Sequence, residues 1–253
     1  MEQDTKLREW THESTQESEL RKDLTQLLRE CPIEDEQLLS NLGLFIESKN
    51  LARILFMNFL FRKIVDVHGS VIEFGTRWGQ NLALFAALRG IYDPFNRHRK
   101  IIGFDTFAGF PSVARQDGRG EMMAPGNVSV TQGYDKYLTR ILEVHEALNP
   151  LSHIKKFELR IGDATVEIDR YLKEAPETIV ALAYFDFDIY EPTKKCIEAI
   201  RPRLTKGSVV AFDELNDPDA PGETLALMET LGLNNVRLRR FPRASRTSYI
   251  ILE

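Results

Sequence analysis

The stretch "VIEFGTRWGQN" at residues 71–81 runs from an apolar segment directly into a glycine and then into helix-forming residues. Val71, Ile72 and Phe74 read as a strand, Gly75 as the turn behind it, and the run from Gly79 as the opening of a helix. Glu73, Gly75 and Gly79 form an E-x-G-x-x-x-G arrangement across that junction. Glycine directly after a strand permits a tight turn and the close approach of a ligand, and the following helix presents free N–H groups on the same side. Thr76 and Arg77 stand where the dinucleotide fingerprint needs further glycine, which points away from NAD and toward a smaller nucleoside ligand. Taken alone, the motif fits equally well a βα turn that simply requires glycine.

Working outward, the same rhythm recurs. Strands are expected at "SVIEFG" (70–75), "KIIGFD" (100–105), "FELRIGD" (157–163), "IVALAYFD" (179–186) and "SVVAFDE" (208–214). Helices are expected near 79–90, 134–147, 164–174, 191–203 and 222–231. Apolar runs alternating with amphipathic helices predict an α/β fold with a mostly parallel sheet. Two further β-rich runs, "VRLRRF" (236–241) and "TSYIILE" (247–253), follow each other closely and predict an antiparallel hairpin, giving a seven-stranded, Rossmann-like sheet. Residues 1–68 carry no strand-like alternation and read as a helical extension, with helices over 19–28, 35–48 and 50–66. Residues 107–132 are rich in Gly and Pro with no period, and are read as a lid over a site in the 69–253 domain, with plain disorder as the alternative.

Composition narrows the function classes. The 253 residues carry a formal charge of −5 and a pI near 5.7, which excludes a general nucleic-acid or membrane-surface binder. The two cysteines, Cys31 and Cys196, have no metal or disulfide spacing and suit a reducing cytoplasm. The N-terminus is charged and lacks a signal-like apolar core, and "LARILFMNFLF" (51–61), interrupted by Arg53, is too short to span a bilayer. That segment reads as a buried or interface helix, and an interface would make the protein a homo-oligomer. Arg97, Arg99 and Lys100 are read as a surface group, and Arg237, Arg239, Arg240, Arg243 and Arg246 as either an edge-strand surface or partners for a diphosphate, the surface being favoured.

The expected strands end in acids. Glu73 lies in the first, Asp105 closes the second, and Asp163 follows the third, where it also suits a helix N-cap. The fourth ends in "AYFDFDIYEP" (183–192), placing Asp186 and Asp188 two residues apart, and the fifth in "AFDELND", with Asp213 and Glu214 adjacent. If the fourth and fifth strands are neighbours, four carboxylates converge, and they cannot all stay ionised without a cation. Oxygen donors with no His or Cys nearby suit Mg²⁺ or Ca²⁺ rather than zinc.

The E-x-G-x-x-x-G run, the strand-end acids, "GDA" and the closing hairpin together resemble class I S-adenosylmethionine (SAM)-dependent methyltransferases. "DTFAGFP" (105–111) and "FDFDIYEPT" (185–193) resemble, more narrowly, the macrocin O-methyltransferase family, and the chain as a whole is similar to TDP-rhamnose 3-O-methyltransferases of enediyne antibiotic pathways. The resemblance implies that Gly75 contacts the methionine part of SAM and that Glu73, Thr76 and Gly79 also bind the cofactor. By the same resemblance Asp105 takes the ribose, Asp163 and Ala164 the adenine, and Thr106 and Asp186 also bind the cofactor. It implies metal ligation by Asp186, Asp213 and Glu214, with Glu214 departing from the two aspartates usual in the family, and it makes Asp188 the general base. The acceptor implied is a nucleotide-linked deoxysugar. A macrolide-attached sugar or a catechol-like acceptor would use similar acids, and a silent SAM-fold binding protein would use none of them.

Overall fold

The computed structural model describes residues 14–244 and 246–253. The first part of the expected extension, residues 1–13 with His12, lies outside the described residues. Seven strands form one sheet: β1 Ser70–Phe74, β2 Ile101–Asp105, β3 Phe157–Ile161, β4 Val180–Phe185, β5 Leu204–Phe212, β6 Arg239–Arg240 and β7 Ser248–Ile251. Their order across the sheet is β3-β2-β1-β4-β5-β7-β6. The first five pair in parallel, and β7 lies antiparallel between β5 and β6. This is the Rossmann-like, mostly parallel fold expected from the sequence, with strand order reversing between β1 and β4.

The central strands are largely apolar because both sheet faces are covered. Alternate residues divide between two cores, as the two-residue period of a strand requires. Val71, Ile101 and Leu182 join Leu82, Phe85 and Leu142 in one core. Ile72, Ile102 and Ala183 join Ile168, Ile197 and Leu227 in the other. The covering helices are α4 Gln80–Tyr92 and α5 Tyr134–Leu148 on the first face, and α6 Ala164–Glu174, α7 Tyr190–Ile200 and α8 Gly222–Thr230 on the second.

Before β1 come α1 Thr15–Arg29, a short α2 Asp35–Leu38 and α3 Ser48–Lys63. The α3 segment is the apolar run read as a buried or interface helix. Its Phe56, Met57, Leu60 and Phe61 are fully buried in the same core as β1 and β4. By contrast α1 buries no residue, and its local support is a capping box between Ser14 and Glu17. The single helix expected over 35–48 is instead one α-helical turn followed by a 3₁₀ segment, Leu39–Phe45. Ser40, Asn41 and Gly43 are weak helix formers, and no burial in this segment offsets them.

Arg99 also departs from expectation. It is 1% exposed rather than on the surface. Its guanidinium donates to Asp93 Oδ2 at 2.8 Å and to the carbonyls of Gly69 (2.6 Å), Ile64 (2.8 Å) and Val67 (2.9 Å). One planar fork thus satisfies the carbonyls at the end of α3 and in the turn leading into β1. Among the described residues no helix is long and apolar enough to cross a membrane.

Candidate active site at the carboxyl edge of the sheet

A cavity of about 1200 Å³ opens over the carboxyl ends of the strands, around the point where strand order reverses. Its lining includes Gly75, Thr76, Gly79, Asp105, Thr106, Asp163, Ala164, Asp186, Asp188, Asp213 and Glu214. Glu73 lies in β1 and is buried.

On the β1–β3 side, backbone turns set the geometry. Gly75 has φ 88°, and a Cβ there would stand 2.0 Å from the Asp186 carbonyl oxygen. The crowding at this glycine therefore comes from the end of β4. Gly79 has φ 75° and opens α4 against Leu138, whose Cδ1 would lie 2.3 Å from an added Cβ. Asp105 accepts from the Arg77 N–H and the Phe107 N–H, each at 2.6 Å, which shapes the loops after β1 and β2 together. Burial raises the Asp105 pKa, and those two backbone donors act against the rise. Thr106 closes the turn into the 107–132 segment, donating to the Gly109 carbonyl at 2.7 Å and accepting from the Ala108 N–H at 3.1 Å. Asp163 caps α6 through the Thr165 N–H at 2.9 Å, and Ala164 is buried behind it.

The fit of this side to SAM can be judged from its unsatisfied groups. Glu73 Oε2, Thr76 Oγ1 and Asn81 Oδ1 are buried polar atoms without a well-formed hydrogen bond, and Asn81 and Thr76 lie beside the Glu73 carboxyl. Such atoms are costly unless a donor reaches them, and the ammonium of a methionine moiety supplies three. Burial pushes the Glu73 carboxyl up to about 8. The residues present fit the group.

On the β4–β5 side the acids gather as the sequence suggested, because the two strands are parallel neighbours. Arg53, from α3, donates to Asp213 Oδ1 at 2.6 Å and to Asp186 Oδ2 at 3.3 Å. The Tyr184 hydroxyl also donates to Asp213 Oδ1 at 2.6 Å. Burial works to raise the Asp213 pKa, but the Arg53 charge and these hydrogen bonds outweigh it and hold it below its ordinary value. Asp186 is pushed well up by burial and by the charge of Asp213. Asp188 and Glu214 share a hydrogen bond, and Arg246 pairs with Glu214 and with Asp217. Burial pushes Asp188 up to about 6, the Glu214 hydrogen bond opposing it. Glu214 rises to about 8 through burial and the Asp188 charge.

For a divalent ion, the donor chemistry fits: hard carboxylate oxygens facing a cavity, with pKa values raised by burial and then by neighbouring negative charge. Among the described residues no three His, Cys, Asp or Glu side chains are gathered closely enough to hold a metal ion as they stand. Arg53 lies between Asp186 and Asp213 and acts there as the cation.

Sequence reading missed several residues of this edge. Arg53 interrupts an otherwise apolar helix, and that interruption was its signal. Glu223 and Asp117 carry no local motif. Arg243 and Arg246 line the cavity, while Arg237 and Arg240 are exposed near the sheet edge, so the favoured surface reading holds for only part of that cluster. Trp78 is 37% exposed at the cavity rim and packs edge-on to Tyr134 at 4.8 Å.

A mostly parallel sheet with a closing antiparallel pair, and acid-lined loops at its carboxyl edge, is the architecture of the Rossmann-like methyltransferase class. The crystal structure of CalS11, a calicheamicin methyltransferase, is similar over 97% of this chain and 96% of its own, with 46% identity and a TM-score of 0.93. A second structure of CalS11, the apo form, described as a TDP-rhamnose 3'-O-methyltransferase of calicheamicin biosynthesis, matches at 42% identity over 96% of each chain, TM-score 0.85. This chain belongs to the CalS11 family of methyltransferases. The O-methyltransferase NovP shares the fold at 17% identity over 80% of each chain, TM-score 0.60. No family model and no curated protein sequence matches the chain.

Proposed function

We propose that this protein methylates a hydroxyl of a nucleotide-linked deoxysugar, the 3-hydroxyl of TDP-rhamnose, in antibiotic biosynthesis. The similarity to CalS11 supports the acceptor class. The observation that carries the chemistry is the carboxylate set of Asp186, Asp188, Asp213 and Glu214, facing across one cavity the loops of β1–β3.

In this reading Glu73, Gly75, Thr76, Gly79, Asp105, Thr106, Asp163, Ala164 and Asp186 bind SAM, which when bound supplies an electrophilic methyl group on a positively charged sulfur. Asp105 keeps acceptor capacity for ribose hydroxyls beyond its two backbone bonds, since a carboxylate offers about four lone-pair sites. Asp188 takes the proton of the sugar hydroxyl as its oxygen bonds to the methyl carbon and the carbon–sulfur bond breaks toward sulfur. Glu214 shares a hydrogen bond with Asp188 and so orients its carboxyl. The 107–132 segment, through Phe110, Pro111 and Met122, walls the cavity and limits the entry of water.

The divalent metal belongs to the same proposal. Asp186, Asp213 and Glu214 are its ligands, with Mg²⁺ favoured and Ca²⁺ possible by donor type. When bound it would polarise the sugar hydroxyl and fix two vicinal oxygens. Arg53, shared by Asp186 and Asp213, is the residue whose position must change. The extension through residue 68 covers the acceptor side, as Arg21, Lys49 and Arg53 at the cavity support, with 69–253 as the catalytic domain. Leu39, Leu44 and Leu51 in the extension are 79%, 65% and 46% exposed, which supports a homo-oligomer contact there.

The test is incubation with SAM, Mg²⁺ and TDP-rhamnose, with and without a chelator, read by product mass. One added methyl that disappears with chelator is expected. A methylated product that survives chelation would remove the metal from the proposal, and no methylated sugar in either tube would remove the acceptor.

A further inference from the structure

The segment after β4 that carries Asp188 is held in an unusual shape by residues far away in sequence. Asp188 has φ 61°, a left-handed conformation that costs a non-glycine residue about 1 kcal/mol or more. A turn of this kind persists only where surrounding groups over-determine it. Glu223, in the first turn of α8 and 0% exposed, does so here. Its Oε1 accepts the Phe187 N–H at 2.9 Å and the Asp188 N–H at 3.3 Å. Its Oε2 is buried with no hydrogen-bond partner, so the side chain serves the turn through a single oxygen.

Two neighbours reinforce this arrangement. Asp117, 1% exposed within the 107–132 segment, accepts the Tyr190 N–H through Oδ1 and the Ala114 N–H through Oδ2, each at 2.6 Å. Gly222 lets α8 come this close. A Cβ at that position would stand 2.6 Å from Asp117 Oδ1, 2.7 Å from Tyr190 N and 2.8 Å from the Asp188 carbonyl oxygen. Three segments separated by tens of residues therefore meet directly behind the acid expected to take the proton.

We infer that Glu223 is a positioning residue for catalysis, holding the 187–188 peptide so that the Asp188 carboxylate meets the acceptor hydroxyl. This rests on the reading of Asp188 as the base. Burying an extra carboxylate among four others is unfavourable, and a purely structural brace could be neutral. The single-oxygen grip on two successive N–H groups explains why an acceptor of this length stands there.

The full-length protein with Glu223→Ala and Glu223→Gln, beside Asp188→Asn, tests it. Backbone amide exchange over 186–190, SAM affinity, and kcat and KM with SAM, Mg²⁺ and TDP-rhamnose are measured. For Glu223→Ala, exchange at Phe187 and Asp188 should rise about tenfold, the loss of one net hydrogen bond. Its kcat should fall about 100-fold, the cost of misplacing a reacting group, while SAM affinity stays within about twofold. Glu223→Gln keeps the oxygen acceptor and should restore kcat to within about threefold of the parent. Unchanged exchange in Glu223→Ala, or unchanged kcat despite faster exchange, would overturn the inference. So would a Gln variant as impaired as the Ala variant, because charge or a proton would then matter instead of the acceptor. Should Asp188→Asn keep full turnover, the base assignment fails, while the exchange result still reports whether Glu223 holds the turn.

Discussion

The two sides of the cavity are built differently. The β1–β3 side is made largely from short-range chemistry: a glycine turn, an aspartate taking one N–H from two residues on and one from the neighbouring β1 loop, and an N-cap aspartate two residues from the amide it caps. The β4–β5 side is made from distant chemistry. Arg53 reaches acids at 186 and 213 from a helix before the sheet begins, and Glu223 reaches back to 187 and 188. The difference teaches where function resides in such a fold. A common ligand can be held by turns that short motifs encode, whereas charge handling needs partners assembled only by the tertiary structure.

The sharpest way to break that contrast is at the seam between the two sides. Gly75→Ala must force a side chain into a positive-φ site and onto the Asp186 carbonyl. The left-handed penalty of roughly 1–2 kcal/mol and overpacking of about 1–3 kcal/mol add to a loss of roughly 2–5 kcal/mol. Chemical denaturation should reveal it, and an unchanged midpoint would mean the two loops are not in contact.

Next in size is Arg53→Met, which leaves Asp186 and Asp213 facing each other without their cation. Arg53 is about one-third exposed at 32%, so the loss should be about 2 kcal/mol, below that of a fully buried pair. Thermal melting should show the loss, and added Mg²⁺ should recover part of it if the acids accept a divalent ion. Full stability of the variant without cation would contradict the pairing.

A smaller and pH-dependent effect belongs to the β1–β3 side. Burial raises Glu73 to about 8, so the folded state holds a proton that the unfolded chain has released above about 4.5. Stability contributed by this group is therefore full below the unfolded value, falls as pH rises through that window, and levels off above about 8. The span is on the order of a few kcal/mol. Glu73→Gln should flatten the slope between pH 5 and 8 by about 1 kcal/mol per unit, measured by denaturation at each pH. If SAM places its ammonium there, binding near pH 7 should release a proton, detectable by calorimetry in buffers of different ionisation enthalpy. An equal slope in the variant would remove Glu73 from the account.

The smallest effect should come from Trp78→Ala. The ring is partly exposed and its edge-on contact with Tyr134 is worth about 1 kcal/mol, so a larger stability loss would place it in the core.

Much of this was legible in the sequence because its causes are local. The strands ending at Phe74, Asp105 and Phe185 were readable from apolar runs, since a sheet covered on both faces needs them. The antiparallel closing strand was readable from the lack of any helix between the last two β-rich runs. Asp186, Asp188, Asp213 and Glu214 announced themselves as costly charges at strand ends. Other features were not readable. The buried fork of Arg99 depends on four acceptors spread from residue 64 to 93, and a basic triplet in sequence looks like surface. The 35–48 segment carried apolar spacing, but its glycine and polar residues found no packing to compensate them. Glu223 sits in an ordinary-looking helix start, where an acid is expected for helix-dipole reasons alone.

The most direct test of the division between the two sides compares Asp105→Asn with Asp188→Asn, measuring SAM affinity and the single-turnover rate at saturating SAM and TDP-rhamnose. Asparagine tolerates the left-handed conformation of residue 188, so that variant should keep its turn. The account predicts that Asp188→Asn loses about 100-fold or more in rate with SAM affinity unchanged, and that Asp105→Asn weakens SAM while keeping the rate at saturation. An Asp188→Asn protein that transfers methyl at the parent rate, or one whose only defect is in SAM affinity, would contradict it.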